Sequence, residues 1–280
     1  MGASRLEVAL PLLLVASLYL RGAWRLSRRA PRAFPAWRLL PALGGLSAVG
    51  VALLSPLARL AHDLFAAHMV QHFLLVMVAA PALLLADPLA AVLWALPAAV
   101  RPRVGRLLAP RKALRRAWAR LTWMPVAWLV GALVLWLWHL PPAWERALAS
   151  AFLHDAEHLA FFGSAILFWW PVVHPAPRVR PAASLPARIA YLVLAAFQQA
   201  LLGLLLTLAP WPLYPSHAAR ADALGWTALE DQAWGGMIMW GAGSAIAMAA
   251  VLVLLARFFG AGERGSLRPF LDRSPGVGDN

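Results

Sequence analysis

There is no cysteine anywhere in this chain, which excludes disulfide frameworks, thiolate metal centres, thiol nucleophiles and iron–sulfur clusters. Charge is also scarce. Only 13% of the 280 residues are Asp, Glu, Lys or Arg, against about 25% in a soluble domain, while 62% are hydrophobic. Acid is scarcer still, with 12 Asp and Glu facing 25 Lys and Arg for a formal charge of +13. In a soluble chain that balance points to nucleic acid, but a chain this apolar does not form a water-soluble globule. It reads as a polytopic membrane protein in which any metal must rest on His, Met, Asp or Glu.

Runs near the roughly 20 apolar residues needed to cross a bilayer occur seven times. They are Leu6 to Leu20, Trp37 to Leu57, Leu64 to Ala86, Trp123 to Leu140, Ala156 to Val173, Ile189 to Ala209 and Ala233 to Ala256. The first is short and carries Glu7, so a cleaved signal peptide competes with a retained helix. Its charge order favours the helix: Arg5 precedes the run, whereas Arg21, Arg25, Arg28, Arg29 and Arg32 follow it.

Seven crossings sort the basic residues sharply. One side takes the groups Arg21 to Arg38, Arg101 to Arg120, Arg178 to Arg188 and the tail after Ala256, and the other keeps only Arg5, Arg59, Arg146 and Arg220. By the positive-inside rule the expected topology has the N-terminus outside and the C-terminus cytoplasmic, in a bacterial inner membrane. The high charge then serves topology and contact with anionic lipids, and no nucleic-acid partner is expected. Residues 1–259 form one all-α domain of seven transmembrane helices, and 260–280 a flexible cytoplasmic tail. Arg101 to Arg120 reads as a solvated loop, with an amphipathic surface helix as the competing reading. Leu89 to Leu96, too short to span and bracketed by prolines, reads as an interfacial segment.

On this topology seven of the eight histidines fall at the outer side. His62, His68 and His72 lie at the start of the third helix, His139 at the end of the fourth, His154 and His158 at the start of the fifth, and His217 in the last outer loop; His174 alone lies inside. Side chains four apart share a helical face, so His68 with His72 and His154 with His158 form two pairs. Together with His139 they can offer several imidazoles to one ion, a donor set suited to copper, zinc, iron or nickel. Asp63, Asp155, Glu157 and Asp231 lie at the same level and can hold the second ring nitrogens, while Met69, Met237 and Met239 can lend thioethers to Cu(I).

Plainer roles compete at each position. An isolated interfacial histidine is usually a hydrogen-bonding residue, methionine in an apolar helix is usually packing, and Asp231 is placed to cap the seventh helix. His154 to His158 also reads H-x-x-E-H, a zinc-hydrolase pattern, but a five-residue match with no accompanying substrate cleft leaves an enzyme the weaker reading. Haem held by one histidine from each of two helices is a further alternative.

These same residues carry a family resemblance. His68 to His72 followed by Phe73, Ala80-Pro81, Asp87-Pro88 and Leu96-Pro97 is similar to the CtaG-type assembly factors of caa-type cytochrome c oxidases. So are Trp138 to Pro141, Ala147-Leu148, His154 to His158, Phe161-Phe162, Leu167 to Pro171, and Asp231-Gln232 with Gly235-Gly236, Met239 and Trp240. The likeness runs from about Val51 to Arg257, with Trp144 where that family commonly has tyrosine. It implies a helper in maturing a haem-copper oxidase, with the oxidase subunits and an extracytoplasmic copper donor as partners, copper as cargo and no enzymatic activity. The alternative within the same family role is a scaffold for the nascent oxidase that binds no metal.

Overall fold

The computed structural model describes residues 5–32, 34–107, 109 and 112–271. Among these residues every regular element is a helix and there is no strand. Six helices are long and apolar enough to cross a bilayer: Leu6–Arg29, Ala36–Leu54, Phe65–Leu85, Ala151–Val173, Leu185–Thr207 and Ala228–Phe259. A bent pair, Ala113–Leu121 and Met124–Trp138, which meet at 67°, brings the number to seven if it is counted as one span. Met124–Trp138 has 15 residues, roughly 22 Å of helix, short of a hydrocarbon core of about 30 Å. We number the spans one to seven in chain order, with Met124–Trp138 the fourth. Large apolar side chains such as Leu129, Phe197 and Leu252 lie exposed along them, as lipid contact requires and water would penalise.

The arginine-bearing loops gather at one end. Arg38 pairs with Asp87 at 2.7 Å, Asp87 also accepts from Ala176 N, Arg115 donates to Arg178 O and Arg180 to Ala119 O. The segment expected to be a solvated loop is largely helical, as Arg101–Leu107 and Ala113–Leu121. Arg115, Arg116 and Arg120 alternate in the second of these with Leu114, Trp118 and Leu121, which gives it an apolar and a basic face; Leu108, Pro110 and Arg111 lie outside the described residues.

The segment expected at the interface is a helix, Pro88–Ala95, packed against the first span. Gly22 makes that contact close, because a Cβ there would collide with Ala91 O. Tyr19 donates to Ala86 O at 3.0 Å, and Arg25 reaches the terminal carbonyls of Trp94 and Ala95 at 3.2 and 3.1 Å. Those carbonyls have no partner within their own helix, so the arginine satisfies what the helix end leaves open. The last helix continues to Leu271, past the point where the tail was expected to begin, and residues 272–280 lie outside the described residues.

Candidate metal centre

At the end opposite the arginine loops, the third span begins with a break. Helix Leu57–Asp63 stops, Leu64 is extended, and helix resumes at Phe65. Restarting a helix leaves its first N–H groups without intrahelical partners. Leu64 brings no capping side chain, and Asp231 of the seventh span fills the role: its carboxylate accepts from Phe65 N at 2.7 Å and Ala66 N at 2.9 Å while itself only 1% exposed. This corrects the expectation that Asp231 caps its own helix. That helix is closed by Thr227 and Glu230 in a reciprocal capping box. Asp231 therefore sets the depth of the third span, and with it His68 one turn further on.

Past His72 the third span widens into a π-helical turn at Leu74–Ala79, and the seventh span has another at Ile238–Ala242. Such turns disturb the regular hydrogen-bond ladder. Neighbouring side chains answer two of the carbonyls: Trp169 Nε1 donates to Val76 O at 2.9 Å, and Gln199 Nε2 to Met239 O at 3.0 Å.

Between these features the two histidine pairs face one another. His68 Nε2 and His72 Nε2 are 3.0 Å apart; the ring of His68 lies 5.4 Å from that of His154 and 5.7 Å from that of His158, and the His154 and His158 rings are 4.4 Å apart. Glu157 turns towards the other pair, with Oε1 3.9 Å from His68 Nε2 and 3.7 Å from His72 Nε2. Two sets of three ligand atoms result, His68 with His154 and His158, and His68 with His72 and Glu157, each with its atoms within 4.8 Å of one another. A tetrahedral ion with bonds of about 2.0–2.1 Å holds its ligand atoms roughly 3.3 Å apart. The His68–His72 spacing already suits such an ion, and Glu157 has about half an ångström to close.

The tautomer of His68 follows from its surroundings. His68 Nδ1 meets Ala61 O at 3.2 Å; a carbonyl only accepts, so Nδ1 carries the proton and Nε2 keeps the lone pair a metal needs. The group that fixes this ring is thus a backbone carbonyl, where the sequence offers the nearby carboxylates Asp63 and Asp155. Asp155 is exposed and Asp63 half-buried. Glu157 belongs among the candidate ligands themselves, because its position one residue before His158 swings it around the helix towards His68 and His72. His154, His158 and Glu157 each keep a buried polar atom with no hydrogen-bond partner among the described residues, an arrangement that is costly unless something is bound there.

His139 stands aside. Its Nδ1 bonds Leu135 O at 2.7 Å, its ring packs on Trp144 and Phe161, and it belongs to neither ligand set. Met69 and Met239 pack beside the cluster with Phe65 and Trp144, whereas Met237 is outside that packing. His62 is exposed, and His174, in a left-handed conformation at the arginine-bearing end, bonds Arg180 O.

Two residues that the spacing argument leaves aside complete the site. Trp144 is 1% exposed, and its ring lies 4.7 Å from His68, forming a lid over the imidazoles. His217, from the helix Pro215–Ala223, is 2% exposed and 6.2 Å from the His68 ring. Burial pushes the His217 imidazole down to about 4; the backbone of Asp63 opposes that shift without completing a well-formed hydrogen bond. Burial likewise lowers His139 to about 4. Both rings are therefore neutral at pH 7, the form that can coordinate a metal. The one sequence signal for His217 was its place among the outer histidines, since it has no partner at helical spacing.

A helical, multi-pass membrane protein with a buried histidine and carboxylate centre at one end is the class these features define. The family model of the cytochrome c oxidase caa3 assembly factors matches residues 17–261, and the chain belongs to that family. No curated protein and no solved structure matches the chain.

Proposed function

We propose that this protein serves oxidase assembly by holding a copper ion in the histidine cluster and passing it on. The observation that carries this reading is the pair of ligand sets sharing His68. His154 is half-buried, whereas His68, His72 and Glu157 are buried. An ion delivered by an extracytoplasmic donor would enter at His154 and His158 and be retained at His72 and Glu157, with His68 bound throughout. Imidazole and carboxylate give an exchangeable, incomplete shell, which release to an oxidase subunit requires. The sorting of arginines supports an orientation with this end outside a bacterial cytoplasmic membrane and the basic loops against anionic lipid head groups.

The test is metal analysis of the purified protein beside oxidase assembly in cells. One copper per chain is expected, lost in His68→Ala, with assembled oxidase falling in parallel. Copper-free protein from copper-replete cells would overturn the reading, as would normal oxidase in His68→Ala cells; the latter would leave a scaffold role. Zinc in place of copper would reassign the cargo, and a Soret band would point to haem.

A further inference from the structure

Beneath the histidine cluster lies an apolar cavity, about 900 Å³ when its open mouth is counted. Apart from His139 its lining comes from membrane-spanning helices, so an occupant arrives from the lipid phase. Both π-helical turns border it, through Val76 and Met239. Phe161 and Phe168 supply flat walls on the fifth span.

Besides His72, shared with the cluster, and Ser164, whose hydroxyl donates to Phe161 O, its polar groups include two adjacent glutamines in the interior of the sixth span, where polar side chains are expensive without partners. Trp136 Nε1 donates to Gln198 Oε1 at 2.8 Å. Indole only donates, so the amide orientation is fixed and the Gln198 NH₂ group is left without a partner among the described residues. Gln199 has the opposite orientation: its NH₂ bonds Met239 O, a pure acceptor, and its carbonyl oxygen is left over. Gly243 is required for that placement, since any Cβ there would collide with Gln199 Nε2. His139 adds a third group. Its Nδ1 proton is committed to Leu135 O, so Nε2 holds a lone pair, buried and unpartnered.

A donor and acceptors gathered at one apolar, aromatic-walled cavity suit a flat ring bearing oxygens. In the quinone a ring carbonyl accepts from Gln198; in the quinol a ring hydroxyl donates to Gln199 or His139. A hydrocarbon chain fills the same volume but leaves each of these groups unanswered, at about 1–3 kcal/mol for each buried one. The geometry points to a binding site for a membrane-soluble quinone or quinol, its ring between Phe161 and Phe168 and its tail in the lipid. The cavity shares His72 with the histidine cluster, but the groups that hold the ring, Gln198, Gln199 and His139, belong to neither ligand set, so the assignment stands without the copper reading.

The probe is decylubiquinone, titrated against the full chain in phospholipid nanodiscs and followed by quenching of tryptophan fluorescence, with Trp169 in the cavity wall. Decylbenzene, with the same tail and no ring oxygens, competes as the control. Saturable binding at one site per chain is expected, abolished by Ala196→Phe, weakened at least tenfold by Gln198→Leu, which removes the donor to the ring carbonyl, and not displaced by decylbenzene. Copper content stays unchanged in Ala196→Phe, which keeps this result distinct from the fate of the copper reading. Ala247→Leu is the smaller plug should Ala196→Phe fail to fold. Three results overturn the assignment: no saturable binding, saturable binding unaffected by a folded plug variant, or binding lost in a plug variant yet indifferent to Gln198→Leu and matched by decylbenzene. The last would assign the cavity to a bare acyl chain.

Discussion

Replacing Asp231 tests whether the seventh span anchors the metal-binding helix. The carboxylate makes two charge-assisted bonds, at 2.7 and 2.9 Å, to the N–H groups that open the third span. Hydrogen bonds to charged groups contribute about 1.5–3 kcal/mol each, and Ala66 is only half-buried, so the low end applies to it. Asp231→Ala is therefore expected to cost about 3–4 kcal/mol. Asp231→Asn keeps one acceptor and loses the charge that complements the helix N-terminus, and should cost about half as much. At roughly 2–3 °C per kcal/mol for a chain of this size, thermal unfolding in detergent should fall by about 8–10 °C for alanine and about 4–5 °C for asparagine. Thr227→Ala removes the seventh helix's own cap, for a loss of about 1 kcal/mol. The discriminating readout is copper affinity: Asp231→Ala loosens the turn that sets the depth of His68 and should weaken binding, while Thr227→Ala should leave it intact. Equal effects of Asp231→Ala and Thr227→Ala on both readouts would refute a cap reaching between helices.

Other outcomes follow from the same geometry. Glu157→Gln keeps the shape but removes the anionic ligand, so copper should bind at least tenfold more weakly while His154→Ala slows loading more than it lowers final occupancy; stopped-flow uptake with equilibrium competition separates the two. The metal-free protein should lose stability in acid. His217 is held near 4 against an ordinary 6.5, so the unfolded chain takes up its proton first; stability is full above about pH 6.5 and falls towards pH 4, by about 2 kcal/mol between pH 7 and 5 for this one ring. His217→Gln should flatten that part of the melting-temperature profile, and an unchanged slope would count against a buried, neutral His217. Gly22→Ala forces the first span away from Ala91 O, and protein accumulation in membranes should drop, with Gly44→Ala, where nothing lies within 4 Å, as the neutral control.

Much of this molecule was legible in one dimension. Bilayer thickness demands long apolar runs, so the spans announced themselves, and the helical repeat of 3.6 residues put His68 with His72 and His154 with His158 before any contact was known. Basic residues were sorted by the cost of moving charge across lipid, and the structure does gather the arginine loops at one end. Local pattern had no means of finding partners from distant helices. The side Glu157 faces, the helix Asp231 caps, the packing of Pro88–Ala95 on the first span, and the arrival of His217 and Trp144 beside His68 depend on which helices meet and at what depth. Hydrogen bonds and van der Waals contacts act over only a few ångströms, so such pairings exist only once the bundle has closed. Sequence thus determined the helices and supplied the imidazoles, and tertiary packing alone decided which lone pairs face each other across the centre.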